Sequence, residues 1–212
     1  MFNFDLDTLL FRILAFVIAF SIHEWAHAMV AYSFGDDTAK REGRLTLNPI
    51  SHLDPLGLIM ILFGPFGWAK PVPFNPYNLR GNKRLGIILI SAAGPISNLI
   101  LAFIFLKLWI WTGQSAWVAT WPMKWIELAE GVFQFSFVIN TAMFVFNLLP
   151  IAPLDGSKIL RYSMPARLDP HFDRFEPYGM FVLLLIIIIP VFSVILQIPF
   201  QWVLETLFNL VM

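Results

Sequence analysis

The sequence predicts an all-α polytopic membrane protein of about four full transmembrane helices. Three observations carry this. Hydrophobic residues make up 58% of the chain and charged residues only 13%, with a mean hydropathy of +0.72. Apolar runs long enough to cross a bilayer recur along it. Lysine and arginine collect in alternate connecting segments. The formal net charge is zero, which gives no reason to expect a nucleic-acid partner. The absence of cysteine excludes disulfides and thiolate metal ligands.

Residues 1–8 form a short polar lead. Asp5 and Asp7 stand where a signal peptide would carry Lys or Arg, so the segment after them reads as retained. Residues 9–34 are the first span, since about 20 apolar residues suffice at helical rise. Gly35-Asp36-Asp37 ends it. In the polar, basic stretch that follows, Arg44-Leu45-Thr46-Leu47 alternates as a short strand would before Asn48-Pro49. Residues 56–68 are apolar but too short to span, and Gly64-Pro65 and Gly67 interrupt them. A re-entrant or interfacial piece is the better reading. Lys70-Pro71-Val72-Pro73-Phe74 is extended, because each proline pushes its predecessor into β or polyproline conformations. Residues 44–76 thus form one re-entrant and extended region, and residues 78–84 a basic loop.

Residues 85–111 are the second span, with a kink expected near Pro95. A loop with Trp117, Trp121 and Trp125 leads to the third span, 128–149. Pro150 and Pro153 prevent that helix from continuing and leave Asp155 on irregular backbone just beyond it. A polar segment precedes the fourth span, 178–198. The remainder, 199–212, reads as an amphipathic or interfacial segment. Several of the 8 tryptophans fall near span ends, as in interfacial belts. There is no internal repeat and no soluble domain; residues 1–212 read as one integral-membrane domain.

Charge sets the orientation. With the N-terminus outside, the inner segments hold Lys40, Arg41, Arg44, Lys70, Arg80, Lys83, Arg84, Lys158, Arg161, Arg167 and Arg174. Only Arg12, Lys107 and Lys124 lie elsewhere. The first and third spans then both run inward, so His27 and Asp155 can meet near the inner membrane face.

The chemistry centres on His23-Glu24-Trp25-Ala26-His27. At about 100° per residue the two histidines lie about 40° apart, one turn above the other, and can hold one zinc ion. Glu24 is placed to take a proton from a zinc-activated water. Two histidines and a carboxylate in a bilayer-length apolar run are costly without a function. Catalytic zinc takes three protein ligands, and the inner-side carboxylates are Asp54, Asp155, Asp169, Asp173 and Glu176. Asp155 is favoured because it follows a span directly and has Gly156 behind it; the competing reading is an Asp ending a helix or forming an Asx turn. Asn147 is a candidate for the oxyanion or for holding a substrate carbonyl, against a helix-packing role. Lys70 to Phe74 could pair with an unwound substrate strand, or be an ordinary proline-bearing loop. His52 reads as a surface or supporting residue, His171 as solvated, and Asp54 as ordering its loop.

These motifs resemble the site-2 proteases, intramembrane zinc metalloproteases. The two main matches are His23-Glu24-x-x-His27 in a membrane helix and Asn147-x-x-Pro150-x-x-x-x-Asp155-Gly156 at the end of a later one. Asn48-Pro49, Gly67-Trp68-Ala69-Lys70-Pro71-Val72-Pro73 and Ala93-Gly94-Pro95-Ile96-Ser97-Asn98 support them and resemble a small prokaryotic branch without a PDZ or CBS domain. The resemblance implies one zinc per chain held by His23, His27 and Asp155, with Glu24 activating water. It implies a contact between Asn147 and substrate, transmembrane proteins as substrates, and a prokaryotic inner membrane with the active site toward the cytoplasm. The rival reading is a metal transporter or channel using the same His and Asp residues; a third is an inactive scaffold.

Overall fold

The computed structural model describes residues 6–57, 69–189 and 194–211. Four of its helices are long and apolar enough to cross a membrane: α1 (Leu6–Ser33), α2 (Lys83–Gln114), α3 (Met123–Asn147) and α7 (Val194–Val211). Between α3 and α7 lie the shorter α4 (Asp155–Ser163), α5 (Asp169–Phe175) and α6 (Gly179–Ile188).

Helices α1, α2 and α3 pack mutually, and α7 closes against α3 and α2. Small residues allow close approach, the usual device where lipid removes a hydrophobic force between helices. Ala15 and Ala19 of α1 meet Ile139 and Met143 of α3. Ala102 and Leu106 of α2 meet Phe137 and Val145 of α3 and Val203 and Leu207 of α7. Ile96, Ile100 and Ile104, spaced four apart on α2, form an exposed stripe suited to lipid. Helix α2 begins at an Asn82 cap, whose side chain accepts from the Leu85 amide, and runs on through Pro95.

Three expectations meet a different structure. Residues 178–198 do not form one helix: α6 is 10 residues long and ends as Ile189 turns extended. That is about half a bilayer at helical rise. The C-terminal candidate span is α7, an 18-residue helix that carries Pro199 inside it and packs into the core through Val203 and Leu207. Pro199 therefore marks no boundary; neighbouring helices re-satisfy the backbone around a proline in a membrane helix. Arg44-Leu45-Thr46-Leu47 is not a strand. Thr46 Oγ1 accepts from the Asn48 amide at 3.1 Å, and Asn48 Oδ1 caps a short 3-10 turn at Ile50. Side chain-to-backbone bonds of this kind displace a ladder. The only β pairing among the described residues is an antiparallel bridge between Leu53 and Ala69. The expected re-entrant piece, 56–68, lies almost wholly outside the described residues.

The segment 69–78 forms a strap fastened beside the C-terminal end of α1. Asp36, 1% exposed, is its main bolt. One oxygen accepts from the Asn75 amide at 2.6 Å; the other accepts from Asn78 Nδ2 at 2.9 Å and from the Thr38 hydroxyl and amide. Burial pushes the Asp36 carboxyl up, but these donors outweigh it and hold the group below the usual carboxylate range.

Candidate metal centre

His23 and His27 lie one turn apart on the buried side of α1, where α2 and α3 enclose them. Their rings stand 4.6 Å apart and nearly perpendicular. The Nε2 atoms are 3.0 Å from each other. Asp155, the first residue of α4, directs Oδ2 to both, at 3.2 Å from His23 and 3.1 Å from His27. The exposures of His23, Glu24 and Asp155 are 4%, 8% and 7%. Among the described residues this is the one group of three such donors that could hold a metal.

The α3–α4 turn sets Asp155. Leu148 to Pro153 leave the helix, with a cis bond at Ala152–Pro153, and α4 starts directly behind. A Cβ at Gly156 would collide with the backbone carbonyl of Leu148, so only glycine lets this turn fold back so tightly. The other carboxylates considered as ligands are committed elsewhere. Asp169 pairs with Arg84 at 3.0 Å, and Asp173 and Glu176 pair with Arg161. Asp54 accepts from the Gly57 amide and so caps its own loop.

Hydrogen bonds on the far side of each ring show that the donors fit a cation. His27 Nδ1 lies 2.6 Å from Ile90 O, a carbonyl that can only accept. Nδ1 therefore carries the proton, and Nε2 keeps a lone pair. His23 Nδ1 lies 2.6 Å from Asn98 Oδ1. Asn98 Nδ2 is already donating, to Asn140 Oδ1 at 2.9 Å and Ala19 O at 3.3 Å, and Asn140 Nδ2 donates to Ser136 O at 2.8 Å. The amides are thus oriented in series, and His23 also turns a lone pair inward. Two nitrogen lone pairs and a carboxylate oxygen facing one another repel unless a proton or a metal cation lies among them, and a metal cation can engage all three at once. A tetrahedral zinc with bonds of about 2.0–2.2 Å separates its ligands by about 3.3 Å, close to the spacing of this trio.

Glycine completes the enclosure. A Cβ on Gly94 would stand 2.6 Å from the His23 ring and closer still to His27 Nε2. Pro95 follows it and withdraws an N–H from the helix ladder of α2. The sequence motif Gly94-Pro95-x-x-Asn98 therefore holds both the residue that admits the imidazoles and the one that orients His23. Sequence reasoning left both out of the site. The signal was present: a buried Asn in an apolar span is costly by the same argument that singled out the histidines. Asn98→Leu, which keeps the branched heavy-atom outline and removes the acceptor, is expected to weaken zinc binding by about 10–100-fold in a chelator competition; an unchanged affinity would refute this orienting role.

The remaining candidates fall in two groups. The strap brings Val72 onto Glu24: its amide donates to Glu24 Oε2 at 2.7 Å. Phe74 packs beside Ile87 and Ile90, with Lys158 Nζ 6.0 Å above its ring. Asn147, by contrast, turns its amide to Met143 O of its own helix at 3.1 Å and not to the trio. His52 is fully buried, not a surface residue; Nε2 donates to Thr46 O at 2.7 Å, where it shapes the loop. His171 is exposed.

Comparison with known proteins points to zinc metalloproteases. The model of peptidase family M50 matches residues 122–190, which include α3 and Asp155. A Bacillus subtilis protein named "Putative zinc metalloprotease YwhC" is 41% identical over 91% of this chain and 87% of its own length. Mycolicibacterium smegmatis "Putative zinc metalloprotease Rip2" is 28% identical over 84% of this chain and 66% of its own length. Methanocaldococcus jannaschii "Putative zinc metalloprotease MJ0611" is 28% identical over 76% of this chain and 74% of its own. No solved structure matches the chain significantly. Likeness of this degree over nearly the whole of both chains exceeds what shared membrane architecture alone produces: the chain belongs to peptidase family M50, the site-2 protease family.

Proposed function

We propose that this zinc metalloendopeptidase hydrolyses peptide bonds in or near the transmembrane segments of other membrane proteins. Its cofactor is Zn2+, held by His23, His27 and Asp155. The observation that carries the reading is the convergence of two imidazole nitrogens and a carboxylate oxygen between apolar helices, with Glu24 buried one residue from His23.

Zinc at this position supplies a Lewis acid that activates water and polarises the scissile carbonyl. The chain's own groups do the rest. Glu24 takes a proton from the attacking water as its oxygen bonds to the carbonyl carbon, then delivers that proton to the leaving nitrogen as the C–N bond breaks. The Nδ1 bonds of His23 and His27 hold their rings in one tautomer throughout. Asn147, at the end of α3, donates one Nδ2–H to Met143 O and keeps the second for a substrate carbonyl.

The strap at Lys70 to Phe74 is the proposed substrate edge. Its N–H groups at Lys70, Val72 and Asn75 are already engaged with His52 O, Glu24 and Asp36, and Pro71 and Pro73 have none. From Lys70 to Pro73 an extended substrate must therefore donate its own N–H groups to strap carbonyls. The site faces the cytoplasmic side of a prokaryotic inner membrane, by the charge distribution. A transporter reading is not favoured: it gives Glu24 no role, and the relatives are named as metalloproteases.

The test is cleavage of a membrane-spanning substrate by the purified, reconstituted protein. Chelation should abolish cleavage and stoichiometric zinc should restore it. Zinc flux into sealed vesicles without any cleavage would overturn the proposal.

A further inference from the structure

The sequence Lys70-Pro71-Val72-Pro73 contains a single N–H between its prolines, and that N–H is the one bonded to the Glu24 carboxylate, at 2.7 Å. The prolines explain why it is aimed there. Each restricts the residue before it, so Lys70 and Val72 are both extended, and residues two apart in extended chain turn their N–H groups to the same edge. The strap is fastened on either side of Val72. On one side the Lys70 amide donates to His52 O at 2.9 Å, and Arg44 Nη2 donates to Lys70 O at 2.6 Å. On the other the Asn75 amide donates to the buried Asp36 at 2.6 Å. Val72 N–H is therefore held between two anchored points.

Glu24 has three rotatable side-chain bonds, and Val72 is the hydrogen-bond donor that meets it among the described residues. Occupying Oε2 fixes the plane of the carboxylate and leaves Oε1 for the proton of the attacking water. A side-chain donor would bring its own rotamer freedom. We propose that the Val72 backbone amide is a positioning group for the hydrolysis. It orients Glu24 as base, and the flanking prolines and the Asp36 and Arg44 anchors serve to present it. The inference deepens the proposed function and rests on Glu24 acting as base.

The test uses the full chain reconstituted with zinc and a transmembrane substrate. In one variant Val72 is replaced by its hydroxy-acid analogue, 2-hydroxy-3-methylbutanoic acid. This turns the amide into an ester, keeps the side chain and removes only the N–H. Val72→Pro is the genetic counterpart. Zinc content and thermal midpoint should match wild type in the ester variant, KM should stay within about threefold, and kcat should fall by about 10–100-fold, as misplacement of a reacting group costs. If Val72→Pro does not fold, the ester variant decides alone. A wild-type kcat in the ester variant overturns the inference, as does a loss confined to KM or a fall in zinc content. Glu24→Gln run alongside separates the two readings. If it cleaves normally, the base assignment itself fails; if it is inactive while the ester variant is normal, only the role of Val72 fails.

Discussion

Glu24→Gln is expected to bind zinc as wild type does and to lower kcat by about 10²–10⁴-fold, the range that general-base assistance supplies. The substitution is close to isosteric, and the amide oxygen of glutamine can still accept from Val72 N–H. What it removes is the capacity to take a proton. The metal trio lies on other side chains, so zinc measured after dialysis should remain near one per chain. Cleavage of a reconstituted substrate, followed as kcat and KM separately, gives the second readout. Turnover within tenfold of wild type would show that another group takes the proton.

The second large effect is expected at Gly94, a residue with no functional atom. Gly94→Ala places a methyl group in space that the His23 and His27 rings occupy. Each ring is held from behind through Nδ1, by Asn98 Oδ1 and Ile90 O, so neither can swing aside without breaking a bond of 2.6 Å. The expected result is a loss of zinc affinity of at least about 10–100-fold, with activity falling in step. Gly113→Ala on the same helix is the control, because a Cβ there meets nothing within 4 Å; it should leave zinc affinity unchanged. Equal affinities for the two variants would mean that the rings have more room than the structure gives them.

The sequence was most legible where a short period or a hard stereochemical break carries the message. His23 and His27 follow from the helical repeat. The break ahead of Asp155 follows from Pro150 and Pro153, three apart, although Asp155 itself opens α4 and does not lie on irregular backbone. Where apolar residues run on without interruption, hydropathy shows that chain enters lipid but not which stretch does. Residues 178–211 are of that kind, and reading Pro199 as a stop shifted the last span. The alternation in Arg44 to Leu47 looks like a strand, yet Thr46 and Asn48 bond to nearby backbone first. The site's supporting residues were hidden for another reason. Val72 acts through its backbone, Ile90 through a carbonyl and Gly94 through the absence of a side chain, and residue type announces none of these. Asn98 was the exception, a costly residue in plain sight.

One feature of the ligand set bears on how such an enzyme comes into being. His23 and His27 emerge with the first span, whereas Asp155 follows only after two more spans have been made. Until that late segment has entered the bilayer, the two imidazoles lack their anionic partner and the site cannot mature. The proposed metal site is thus complete only once the third long helix and the turn behind it are in place.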